Sequence, residues 1–154
     1  MVPTNEQLLT ILRQWVPRLY LQGWQISIKT GKRPDGIGAS VWADEDRMSA
    51  RIVVNEGVFD EPNEGDWHIY DSLDIPRERA LEEIIVHELL HVLEEPYNTH
   101  LDQVLDKAIG KDDSNPTATL VHATLRAYRE RLINLFSRVL VDGSTGVWGG
   151  SPPP

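Results

Sequence analysis

Residues 82–93 read Glu82-Glu83-Ile84-Ile85-Val86-His87-Glu88-Leu89-Leu90-His91-Val92-Leu93, two imidazoles and a carboxylate set inside an apolar run. Leu81, Ile84, Ile85, Leu89, Val92 and Leu93, flanked by Val86 and Leu90, recur at helical spacing, and their arc is wide enough for a helix that is mostly buried. His87 and His91 then stand one turn apart on one face, with Glu88 offset from them by about 100° and about 60° around the axis. This is the HExxH arrangement, in which both imidazoles bind one zinc ion and the carboxylate reaches a water on the open position. Burying the three groups without partners costs several kcal/mol, and a divalent cation compensates all of them. The competing account is a chance match with histidines satisfied by backbone carbonyls, a coincidence this composition produces about once in a hundred such chains.

The 154 residues make one domain with room for a core, expected over 1–142, followed by a flexible Gly/Pro-rich tail at 143–154. A net charge of −9 opposes both a nucleic-acid backbone and an anionic membrane as partner. With no cysteine, disulfides, thiolate nucleophiles and Cys-ligated zinc are excluded, so a zinc site must use imidazole and carboxylate, which suits a catalytic centre. The N-terminus lacks a secretory pattern and no apolar run reaches membrane-spanning length, so a cytoplasmic protein is expected.

Working outward, Thr4 or Asn5 caps a first helix running to about Tyr20, with Pro17 a kink or break and Gly23 its end. Strands are expected at about 24–29, 37–43 and 49–55, joined by turns at 32–36 and 44–47, as two hairpins in series. Residues 55–75 form a long acidic loop carrying Trp67 and His68, read either as a solvated charge run or as a working loop in which His68 is a candidate ligand. The motif helix begins near Pro76 and stops at Pro96. A short helix follows at about 101–108, ended by Gly110, and Asn115-Pro116 opens a final helix over 117–141, closed by Gly143. The fold class is α+β: N-terminal helix, a small twisted, mainly antiparallel three-stranded sheet, HExxH helix and C-terminal helix.

Catalytic zinc usually keeps three protein ligands, so one more must come from elsewhere; the candidates are Glu94, Glu95, His100, Asp102, His122 and Glu130. Glu130 leads, because Ala123, Ala127, Ile133 and Ser137 on its face allow close approach to the motif helix; its alternative is an ion pair with Arg126 or Arg129. His122, about 80° away around the same helix, is second choice or a group near the water.

The chain resembles the zincin metallopeptidases of the gluzincin type, and more narrowly the small zincin-like proteins of bacteriophages and prophages. The resemblance rests on Leu21 to Ile28 with its Trp24-x-Ile26 strand, on Ala50-Arg51-Ile52-Val53-Val54, on His87-Glu88-Leu89-Leu90-His91, and on Glu130-Arg131-Leu132-Ile133-Asn134-Leu135-Phe136. The last stretch is also similar to the closing helix of the ImmA/IrrE-type peptidases, whose Glu-x-x-x-Asn-x-Phe spacing Glu130, Asn134 and Phe136 meet. The resemblance implies a minimal zincin-like domain that hydrolyses peptide bonds, Zn2+ on His87, His91 and Glu130, and Glu88 as general base. It also implies a peptide or protein substrate, with host cytoplasm as the location if phage-encoded. The third strand would offer an edge to the substrate, and Tyr97, His100 and His122 are candidates for stabilising the oxyanion. The competing function is a non-catalytic zinc-binding scaffold acting as a protein interaction factor.

Overall fold

The computed structural model describes residues 2–32, 38–56 and 77–143. Most of the acidic loop, His68 included, and all of the tail beyond Gly143 therefore lie outside the described residues. The order of elements is α1 (Asn5–Arg18), β1 (Gln25–Gly31), β2 (Ala39–Asp44), β3 (Ser49–Asn55), α2 (Arg77–Ile109) and α3 (Pro116–Asp142), an α+β domain. No helix among the described residues is long and apolar enough to cross a membrane.

Thr4 caps α1 through a reciprocal box with Gln7: its Oγ1 accepts from the Gln7 N–H at 3.2 Å, and Gln7 Oε1 accepts from the Thr4 N–H at 2.8 Å. Leu8, Leu12 and Trp15 bury the inner face. The Trp15 indole N–H donates to Glu82 Oε1 at 2.7 Å, fixing α1 against α2. Pro17 falls in the last turn and α1 ends one residue later, close to the expected stop.

The sheet departs from two hairpins in series. Its order is β1-β3-β2, with β1 parallel to β3 and β2 antiparallel to it, so it is mixed rather than mainly antiparallel. β3 is therefore the central strand and offers no edge; β2 and β1 are the edges. The cause is apolar content: Ala50, Ile52 and Val54 are buried on one face of β3, and covering that strand from both sides hides the most surface. Ile28, Ile52 and Val41 form one row across the three strands, and Ile26, Ala50 and Ala43 another.

Helix α2 lays Leu81, Ile84, Ile85, Val86, Leu89 and Val92 into the core beneath this sheet. It then passes through Pro96 to Ile109 as one helix of 33 residues, so the expected stop at Pro96 and the separate helix at 101–108 are both corrected. Proline removes one backbone hydrogen bond and crowds the preceding turn. Contacts with α3 on both sides of Pro96 compensate: Arg129 Nη2 donates to Glu94 Oε1 at 3.1 Å, and His122 Nε2 lies 3.6 Å from Asp106 Oδ1.

The turn between the helices is closed by its own chemistry. Gly110 has φ 93°, a left-handed conformation that ends α2. Asn115 caps α3 by accepting from the Ala118 N–H at 2.9 Å, and its Nδ2 donates to the Ile109 carbonyl at 3.1 Å. Toward the core, Arg138 Nε meets the buried Glu83 carboxylate at 2.9 Å, and Arg79 pairs with Asp142. The two helices thus run antiparallel as a pinned hairpin.

Candidate metal centre

His87 and His91 project from α2 toward α3 at the point where the core ends. Their rings meet edge to face with centroids 4.9 Å apart, and their Nε2 atoms are 3.1 Å apart. Glu130 arrives from α3 with Oε1 at 3.3 Å from His91 Nε2 and Oε2 at 3.6 Å from His87 Nε2. A tetrahedral zinc ion with bonds of about 2.0–2.1 Å keeps its donors about 3.3–3.4 Å from one another. His91 Nε2 lies 3.1 Å from His87 Nε2 and 3.3 Å from Glu130 Oε1, both near that value, while the second carboxylate oxygen stands 3.6 Å from His87 Nε2; two imidazoles with one carboxylate form a donor set that suits zinc. The group could hold a metal ion.

The imidazoles are in the state a ligand needs. Burial first, and then the neighbouring His91, lower the His87 pKa to about 4, outweighing a hydrogen bond to Asn134 and the field of Glu94, which raise it. His87 is thus neutral at pH 7 and keeps a lone pair. His91 Nδ1 faces Glu94 Oε1 at 3.1 Å, a contact that favours the tautomer in which Nδ1–H donates to the carboxylate and Nε2 is the metal-binding atom. Both rings are mostly shielded, whereas Glu130 is about half exposed, not turned inward as the sequence led one to expect, so the site opens to solvent on its side.

Glu88 is buried on the turn between the histidines and is not part of the donor group. The other sequence candidates go elsewhere. Glu94 lies on the edge of the His91 ring opposite Nε2 and so faces away from any ion held there. His122 is buried near the hairpin turn against Asp106 and the Gly110 carbonyl, at 3.6 and 3.4 Å. His100 and Asp102 are exposed on α2, and Tyr97 is 76% exposed, so the structure brings none of the three suggested oxyanion groups into the donor cluster. Arg126 pairs with Asp112 at 2.7 Å and Arg129 with Glu94, so neither arginine takes Glu130 as the ion pair that was its alternative.

The sequence offers Glu94, Glu95 and Asp102 as candidate ligands, but not the influence of Glu45 on Glu95 or the contact of Glu94 with the His91 ring. Burial first, and then repulsion from Glu45, Glu94 and Asp102 against the attraction of Arg129, push the Glu95 carboxyl above its ordinary range. Glu45 belongs to the β2–β3 turn, and its charge is among those that raise the Glu95 carboxyl. The spacing of His91 and Glu94, three apart on one helix, was the available signal for their contact.

Compared with known proteins, the chain matches no family model, no curated protein and no solved structure.

Proposed function

We propose that the protein is a zinc-dependent peptidase in which His87, His91 and Glu130 hold the metal and Glu88 is the general base. The reading is supported by the convergence of two imidazoles and a carboxylate from two helices, with one ligand atom of each within 4.8 Å of the others and His91 Nε2 at 3.1 Å from His87 Nε2 and 3.3 Å from Glu130 Oε1. When bound, zinc polarises a carbonyl and brings the pKa of water down to about 7. Glu88 accepts the proton of the attacking water and returns it to the leaving amine; its position beside His87 in the helix and its burial away from bulk solvent support that role. The half-exposed side at Glu130 admits the substrate. Strand β2 has one edge on β3, packs against α2, and has no strand on its other edge among the described residues, so an extended peptide adds there. The second reading, a zinc-binding interaction scaffold, is favoured by the exposed apolar residues of the helical hairpin, Tyr97, Val104, Leu120 and Tyr128.

One set of variants separates these. Purified protein is expected to bind about one zinc, and His87→Ala or His91→Ala to abolish stoichiometric binding, measured by elemental analysis. Glu88→Gln should keep the zinc and lose about 10²-fold or more in peptide-library hydrolysis. Zinc retained in a histidine variant would remove the site. Zinc bound but no cleavage by wild type leaves the scaffold.

A further inference from the structure

We infer that Glu94 and Arg129 are positioning residues for this centre: the Glu94 carboxylate holds the His91 ring with Nε2 turned to the metal, and the Arg129 guanidinium holds Glu94. The inference rests on the metal-binding reading above and adds residues that are not ligands. A single oxygen, Glu94 Oε1, receives both neighbours, His91 Nδ1 at 3.1 Å and Arg129 Nη2 at 3.1 Å. All three side chains are only about a quarter exposed, so these charge-assisted contacts are weakly screened and hold one geometry.

The placement follows from both helices. Glu94 lies three residues beyond His91 and so shares its face of α2. Arg129 directly precedes Glu130, so α3 sends one residue into the donor group and the adjacent one to the carboxylate that orients another donor. The guanidinium meets Glu94 through Nη2 while its buried Nε has no hydrogen-bond partner, and its charge also lowers the Glu95 carboxyl against the burial that raises it. An ordinary ion pair three residues apart on a helix would need neither the arginine of a second helix nor the imidazole of a ligand. Without Glu94 the His91 ring is free to rotate or to carry its proton on Nε2, where it cannot bind a metal. Without Arg129 the Glu94 side chain regains its other rotamers, and the ring is held less firmly.

The test is metal affinity, read by competition of zinc with a chromophoric chelator, together with the visible absorption of the cobalt(II)-substituted protein. Glu94→Ala is expected to weaken zinc binding by about 10- to 100-fold, and Glu94→Gln, which still accepts from Nδ1–H, to recover part of the loss. Arg129→Met should weaken it by up to about 10-fold and shift the cobalt spectrum, with Arg129→Lys closer to wild type. Wild-type zinc affinity in Glu94→Ala overturns the inference while leaving the centre intact, and unchanged affinity and spectrum in Arg129→Met overturn the arginine's part. If Glu94→Ala does not fold, shown by the far-ultraviolet dichroism of the metal-free protein, the Gln and Met variants decide by the same readings. Failure of wild type itself to bind zinc removes the metal reading, and this inference with it.

Discussion

The two halves of α2 are built on opposite plans. From Ala80 to Val92 the helix is mostly buried and carries its chemistry inside; from Leu93 to Ile109 only Asn98 is buried, while Leu93, Tyr97, Leu101 and Val104 are exposed. The first half packs on the sheet and on α1, whereas the second is held by α3 through Glu94, Asp106 and the turn at Gly110. The candidate centre sits at the boundary, which gives it rigid support from below and solvent at Glu130. The lesson is that an apolar residue at helical spacing reports a helix and does not by itself report a core.

Substitutions should divide at that boundary. Leu89→Ala, which empties a fully buried position, is expected to cost about 2–5 kcal/mol in urea unfolding, whereas Val104→Ala should stay within about 0.5 kcal/mol. Equal losses would show that the distal half is as much core as the proximal one. The boundary should also appear in pH. The folded His87 pKa of about 4 lies below the unfolded value near 6.5, so the unfolded chain binds the extra proton first as pH falls. The metal-free protein should hold this part of its stability above pH 6.5 and lose it between 6.5 and about 4, by up to about 1.4 kcal/mol per pH unit. His87→Gln should flatten that window, and an unchanged slope would contradict the shielding of the site. A gain is expected at Pro96: Pro96→Ala restores a helical hydrogen bond in the exposed half and should raise stability by about 1–2 kcal/mol, after allowance for the freer unfolded chain. A loss instead would mean that the proline shapes the path of α2 past α3.

What could be read from the sequence was local. HExxH is a property of one helix, so the relation of His87 to His91 followed from spacing alone, as did a cap at Thr4 or Asn5, of which the structure uses Thr4, and the Asn115-Pro116 start of α3. The order of the strands was not local. Consecutive strands usually pair, but here the apolar side chains of β3 place it between the other two. Pro96 was read by its intrinsic preference, and the contacts with α3 on either side of it override that preference. Glu130 was singled out for small neighbours on its face, yet Ala123 and Ala127 are exposed; what brings it to the histidines is the antiparallel crossing pinned by Arg129 and Arg138. The influence of Glu45 on Glu95 depends on the β2–β3 turn and α2 being folded together, which no window of sequence displays.

The turn at Gly110 also sets an order in time. A helical hairpin closes at the least entropic cost from its turn, so zipping from that turn is expected to bring His122 to Asp106 first, then Arg129 to Glu94, Glu130 to His91 and His87, Arg138 to Glu83, and Arg79 to Asp142 last. The ligands therefore meet midway through the zipping of one hairpin, after Glu94 is clamped and before the innermost ion pair forms.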